Sequence, residues 1–227
     1  MMDALELLDS GKHATLRMRP PAVTDSPFVR IVTAEAPVAA ASCPVLLSKH
    51  AESGAFYMGA LLGFRPGELL VDSPDGQPAF RPLEADREGF FAVEESIAVD
   101  RAHRRFAGDG EPMFDAQGAP APLLRRAQAA LGRLMAGNDA TEAFIAMLLK
   151  HRLVEPIDIS LSFDDGEKLR LEGLYTVSLD AIGELDDDAA LALFRAGQLQ
   201  LAYAMAGSLH HIALMARRRN ERLAQAA

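Results

Sequence analysis

The sequence predicts an α+β fold, with an antiparallel, strand-rich N-terminal half packed with a helix-rich C-terminal half that contains one β-hairpin. Three observations predict it. Up to Asp100 the apolar runs are short and are broken by Gly, Pro, Ser and Asp, the punctuation of consecutive antiparallel strands. From Pro122 the period changes: Leu123, Leu124, Ala127, Ala130, Leu131 and Leu134 recur at helical spacing. Strands first and helices later is segregation rather than alternation, which favours α+β over α/β.

In chain order, His13 to Arg19 (HATLRMR) alternates and reads as a short strand ending at Pro20-Pro21. TDSPFVRIVTAEAP reads as an extended piece followed by a turn. CPVLLSKHAESGAFYMGALLGFRPGELLVD reads as strands separated at Ser53-Gly54 and Arg65-Pro66-Gly67, closed by a turn at Ser73-Pro74-Asp75-Gly76. Gly89 to Asp100 (GFFAVEESIAVD) reads as a strand pair, with the adjacent Glu94 and Glu95 in a strand and so on opposite faces. The stretch AHRRFAGDGEPMFDAQGAPAP is a long irregular segment, of a kind that is often functional.

Pro122 suits a first helical turn. Gly137-Asn138-Asp139 reads as an interruption, after which Thr141 to His151 resumes as a second helix, capped by Asp139 or Thr141 and stopped by Pro156. Ile157 to Phe163 and Lys168 to Val177 alternate around Asp164-Asp165-Gly166, a strong hairpin signal. Asp186 to Asp188 start a helix at its positive dipole end, Gly197 ends it, and a last helix runs from Gln198 to Arg217-Arg218-Arg219.

The chain has 227 residues, 49% hydrophobic and 24% charged, with a net charge of −9. That is globular composition, and one domain over 1–227 is the expected organisation. The negative charge argues against non-specific nucleic-acid binding, because a phosphate backbone repels such a surface. The single cysteine, Cys43, rules out an intrachain disulfide framework and reads as a small buried residue at a strand start. The N-terminal MMDALELLDSGKHATLRMRPP lacks the basic and apolar regions of a signal peptide. No apolar stretch reaches the roughly 20 residues of a membrane span. A cytoplasmic location with no integral membrane segment is the expectation.

Three segments together carry a resemblance. They are Gly110 to Arg126 (GEPMFDAQGAPAPLLRR), Asp164 to Val177 (DDGEKLRLEGLYTV) and Leu185 to Leu209 (LDDDAALALFRAGQLQLAYAMAGSL). In order and spacing they resemble the SapC-like family, with its acidic segment before a helix, its DGEKL hairpin and its tail of the YAH…SL kind. HATLRMRPP and CPVLLSKH resemble that family's early extended pieces. The tail departs at Met205, where the family pattern has His. The family is named for surface-array (S-layer) gene clusters. Its members also stand beside TonB-dependent receptors, halogenase-like flavoproteins and cupin-type hydroxylases. The resemblance implies an accessory role in surface export, receptor-linked uptake or peptide modification.

The residues point to no reaction. There are six His, none in a metal-ligating pair, and His210-His211 are adjacent and diverge by about 100° on a helix. Asp109, Glu111 and Asp115 lack the spacing of a calcium loop. No nucleophile elbow, phosphate loop or dinucleotide fingerprint is present. No metal, cofactor or catalytic residue is assigned. One segment holds an excess that folding alone does not require: Glu111, Met113, Phe114 and Asp115 place apolar groups amid acids. They are the candidate partner-binding residues of a non-catalytic adaptor for a peptide or protein, with a sheet edge as a second peptide site by strand addition. On this reading Met113 and Phe114 could be truncated with little loss of stability. The alternative is a metal-dependent, oxygenase-like modifying enzyme of the same gene clusters. The apolar C-terminal helix reads as central to the core, with a homodimer surface as the alternative, and the Arg217 to Arg219 run projects beyond it.

Overall fold

The computed structural model describes residues 5–21, 26–72 and 79–226. Along the chain run β1 (Leu5–Leu7), β2 (Arg17–Met18), β3 (Phe28–Arg30), α1 (Ala36–Ala40), β4 (Val45–Lys49) and β5 (Phe56–Leu61). Then come α2 (Leu83–Arg87), β6 (Phe90–Val93), β7 (Ser96–Asp100), a 3-10 turn (Arg104–Phe106) and β8 (Glu111–Pro112). The remainder is α3 (Pro122–Lys150), β9 (Val154–Ser162), β10 (Lys168–Val177), α4 (Leu179–Gly183), α5 (Asp187–Arg195), α6 (Gln198–Ser208) and α7 (His210–Ala226). Strands concentrate in the N-terminal half and helices in the C-terminal half, and every described strand pairing is antiparallel. This is the α+β class read from the sequence. The turn expected at Ser73 to Gly76 lies outside the described residues.

The chain divides into two compact units. One joins Met1–Thr24 with Arg81–Ala136, and the other joins Asp25–Phe80 with Gly137–Ala227. The first holds a three-stranded sheet in the order β1-β7-β6 and the short pair β2-β8. Strand alternation sends Phe90 and Val99, cross-strand partners, into a core with Met18, Phe106, Met113 and Leu124. Phe90 and Phe106 meet edge to face at 5.4 Å, the arrangement ring quadrupoles prefer. The first half of α3 adds Leu123, Ala127 and Leu131, a stripe at helical spacing. Arg105 is buried here. It donates to the carbonyls of Arg19 (2.9 Å), Asp86 (2.6 Å) and Glu88 (3.1 Å), so one side chain holds three loop segments.

The second unit is built on a five-stranded sheet in the order β3-β5-β4-β10-β9. Val45, Leu46 and Leu47 of central β4 are all buried, so both faces of that strand are covered, as a continuous apolar run requires. α6 packs on β4 and β10. Its Ser208 hydroxyl donates to Met205 O (2.6 Å) and accepts from Val45 N (2.9 Å), which leaves no buried polar group open at that junction. The β9-β10 hairpin forms where Asp164-Asp165-Gly166 placed it, with Gly166 at φ 84°. Asp186 caps α5 by accepting from Ala189 N at 2.8 Å. Gly197, at φ 72°, ends α5.

Five expectations are corrected. The expected interruption at Gly137 is absent, because α3 runs unbroken from Pro122 to Lys150. A Cβ on Gly137 would lie 2.8 Å from Val32 Cβ, so the glycine admits a close neighbour rather than breaking the helix. Thr141 is correspondingly no cap. Its hydroxyl donates to Gly137 O (2.7 Å) and accepts from Thr33 N (2.9 Å). The helix stops at Arg152, at φ 56°, where Arg152 N reaches Leu149 O and Leu153 N reaches Leu148 O, a left-handed C-terminal cap well before Pro156. Glu94 and Glu95 are not in a strand, because they form the two-residue turn between β6 and β7. The strand expected over His13 to Arg19 shrinks to Arg17–Met18, since Asp9 to His13 closes a turn through His13 N to Asp9 O at 2.9 Å. The expected last helix is two, α6 and α7, separated at Leu209 by tightened three-residue bonds.

Candidate functional site

The acidic loop folds onto its own unit. Met113 is 0% exposed and Phe114 9%, both in the core with Met18 and Leu124. The strand pair aims them inward: β8 bonds to β2, and Met113 N donates to Leu16 O at 3.3 Å. Ala121 N donates to Met113 O at 2.8 Å just ahead of α3. Asp115 Oδ1 accepts from Gln117 N (2.9 Å) and Ala119 N (2.8 Å), which closes an Asx turn. Arg17 donates to Gly110 O at 2.9 Å. Of the four residues assigned to partner binding, Glu111 and Asp115 are exposed. Met113 and Phe114 are not available to a partner in this conformation, because their apolar surface is already buried in their own core.

The apolar surface of this unit lies elsewhere, on the outer face of the three-stranded sheet. The register places Leu7 of β1 and Phe91 of β6 either side of Ala98 of β7. Leu7 is 59% exposed and Phe91 37%, and Val93 one pleat on is 40% exposed. Ala98 is buried between its neighbours. The row therefore faces away from Phe90 and Val99, toward solvent. Arg87 lies over Phe91, 5.6 Å from the ring centroid. Among the described residues β6 has one strand neighbour, β7. Asp100 N donates to Gly89 O at 2.9 Å, which sets the ladder's phase: Phe91 and Val93 bond to β7, and the N–H of Ala92 points to the open side. The sequence carried part of this signal in the apolar FFAV run. The cross-strand row with Leu7 needed the register.

The C-terminal arginines do not project freely. Arg218 donates to Leu70 O (2.7 Å), Asp72 O (3.0 Å) and Asp72 Oδ1 (3.1 Å). Arg222 grips the same carboxylate at 2.7 and 2.8 Å. Arg219 pairs with Glu167 at 2.8 Å and Glu68 at 3.5 Å. Only Arg217, paired with Glu221 at 3.7 Å on its own helix, stays in the solvent.

Burial pushes the Cys43 thiol up to about 12, and its Sγ donates to Ala39 O, so it is a buried hydrophobe rather than a nucleophile. Among the described residues no three His, Cys, Asp or Glu side chains gather as a metal site. The His210 and His211 rings, expected to diverge, instead lie tilted against each other with centroids 3.9 Å apart, and His211 reaches Ala40 O with Nε2 at 3.1 Å.

The SapC family profile matches residues 8–215 of the chain. The chain belongs to the SapC family. No curated protein and no solved structure matches it. In this SapC protein the three family-like segments each have a folding role. The first supplies core residues and the entry to α3, the second is the β9-β10 hairpin, and the third is α5 and α6 with the Asp186 cap and the Gly197 turn. Met205, where the family pattern has His, is fully buried against the sheet core. Among the described residues no helix is long and apolar enough to cross a membrane.

Proposed function

We propose that this SapC protein is a non-catalytic accessory or adaptor protein of the cytoplasm. It binds a peptide or protein partner in a surface-export, receptor-linked uptake or peptide-modification system. The observation that carries this reading is the coincidence of an open sheet edge with an exposed apolar row at Phe91, Val93 and Leu7. A protein gains nothing by leaving large apolar side chains side by side in water, and such a patch beside the outward N–H of Ala92 fits an added strand. A partner segment laid along β6 bonds to the main chain at Ala92 and sets alternate apolar side chains over Phe91 and Val93. The exposed carboxylates Glu111 and Asp115 remain in the proposal as polar contacts of the same unit, on a loop that Met113 and Phe114 anchor.

A photo-crosslinking residue at position 91, incorporated in the native host, tests it. One discrete adduct is expected, absent when the same residue replaces Arg133 on the exposed face of α3. Adding Ala92→Pro should abolish the adduct, because proline removes the outward N–H without touching the bonds to β7. No adduct at position 91, or one that Ala92→Pro leaves intact, would sink the strand-addition reading.

A further inference from the structure

The second unit contains a cavity of about 390 Å³ where α7 meets the loop after β5. Arg65, Pro66 and Gly67 line it from the loop, and Arg219, Arg222 and Leu223 line it from the helix. The loop is stiff on its own account: Glu68 Oε2 accepts from Phe64 N at 2.9 Å, and Glu68 N donates to Arg65 O at 3.1 Å. Arg219 lies beneath. Its side chain is 7% exposed, its guanidinium sits 4.2 Å from the centroid of Phe163, and its Nη1 has no acceptor among the described residues. The two carboxylates beside it are fully used. Glu167 takes Arg219 on one oxygen and Arg65 on the other, and Glu68 divides between Arg219 and its own loop. A buried cationic donor left without an acceptor is costly, and a bound anion relieves that cost.

The charges around the cavity specify the anion. Three arginines (65, 219 and 222) and one carboxylate (Glu68) line the cavity itself, and Asp72 and Glu167, which pair with these arginines, are not among its lining residues. An arginine wall already partly neutralised by such pairs suits an anion of single rather than multiple charge. Arg65 is half exposed and pairs with Glu167 through Nη2, so its planar fork keeps donors for a ligand, whereas Arg222 already gives Nη1 to Leu69 O and Nη2 to both oxygens of Asp72 and contributes charge. Pro66 and Leu223 put hydrocarbon beside them.

We propose that this cavity binds an organic monocarboxylate, with its head group on Arg65 in the field of Arg219 and Arg222 and its apolar stem against Pro66 and Leu223. The site is independent of the β6 edge, so either can fail without the other. The test titrates N-acetyl-leucine into the ¹⁵N-labelled full chain. Saturable shifts at Gly67, Glu68 and Leu223 are expected, with a dissociation constant on the order of millimolar, and about tenfold weaker binding to Arg65→Ala. N-acetyl-leucinamide, which lacks the charge, should give none. Leu223→Glu retains every arginine and should also abolish binding. A peptide ending in a free leucine carboxylate separates two sources of the ligand. Tighter binding than N-acetyl-leucine assigns a peptide C-terminus and equal binding a free acid, and both support the proposal. No saturable shift, an Arg65→Ala variant that binds as well, or inorganic phosphate binding as tightly overturns it.

Discussion

Met113 and Phe114 show how residue type and residue position can point in different directions. Two apolar side chains amid Asp109, Glu111 and Asp115 look displaced in the sequence, yet both fill the core of the first unit. Truncation at such sites removes transfer free energy and leaves a cavity. Met113→Ala should therefore cost about 2–5 kcal/mol and Phe114→Ala about 3–5 kcal/mol in chemical denaturation. This reverses the expectation that both could be cut with little loss. Variants within about 0.5 kcal/mol of the parent, the scatter usual for surface sites, would show that the loop does not pack as described. What was legible here was a long irregular segment, which its Gly, Pro and Asp content marks locally. The inward aim of Met113 was not, because it depends on β8 pairing with β2, more than ninety positions away in the chain at about Arg17 to Pro112.

At the scale of the element, α3 sets intrinsic propensity against packing. Glycine inside a helix costs about 1 kcal/mol relative to alanine, so Gly137-Asn138-Asp139 reads as a break. Two glycines in the same helix separate the effects. A Cβ at Gly132 meets nothing within 4 Å, whereas one at Gly137 meets Val32 at 2.8 Å. Gly132→Ala should stabilise by about 0.5–1 kcal/mol. Gly137→Ala should destabilise by about 1–3 kcal/mol, since Val32 is buried and has little room to yield. Opposite signs in parallel melts are the expected outcome, and stabilisation by both would refute the close approach at Val32. The β9-β10 hairpin was legible for the contrary reason. Its alternation and its Asp-Asp-Gly turn lie within one short segment, and nothing distant competes with them. The Asp186 cap was legible likewise, because donor and acceptor are three residues apart.

For the whole molecule, the charged groups predict how stability follows pH. Desolvation, reinforced by the neighbouring His210, holds His211 below its ordinary value of 6.5, with the bond to Ala40 O opposing. The unfolded chain therefore takes up that proton first as pH falls through 6.5, and stability drops until the folded form titrates too. Glu6 is held below its ordinary 4.5, first by its bond from Lys12, and Asp9 below 3.8, first by the Lys12 backbone N–H. Their contributions are present above those values and are lost as pH falls through the lowered ones. Melting temperature should be flat from about pH 8 to 7, decline below 6.5, and decline again in stronger acid. His211→Gln should remove the first decline alone. A melting temperature that rises between about pH 7 and 5.5, or superimposable curves for parent and variant, would contradict this assignment.

By itself the sequence determined the class and its punctuation: α+β, the hairpin at Asp164 to Gly166, the cap at Asp186, the turn at Gly197, and membership of the SapC family. These follow from periodicity and from bonds spanning a few residues, so the local chain suffices to read them. Tertiary structure alone decided which apolar groups are covered and which charges are paired. It buried Met113 and Phe114, left Leu7, Phe91 and Val93 in water, and brought Arg218, Arg219 and Arg222 onto carboxylates far back along the chain. Burial and ion pairing are set by neighbours in space. No periodicity along the chain encodes that β1 lies on the far side of β7 or which acid waits for Arg219.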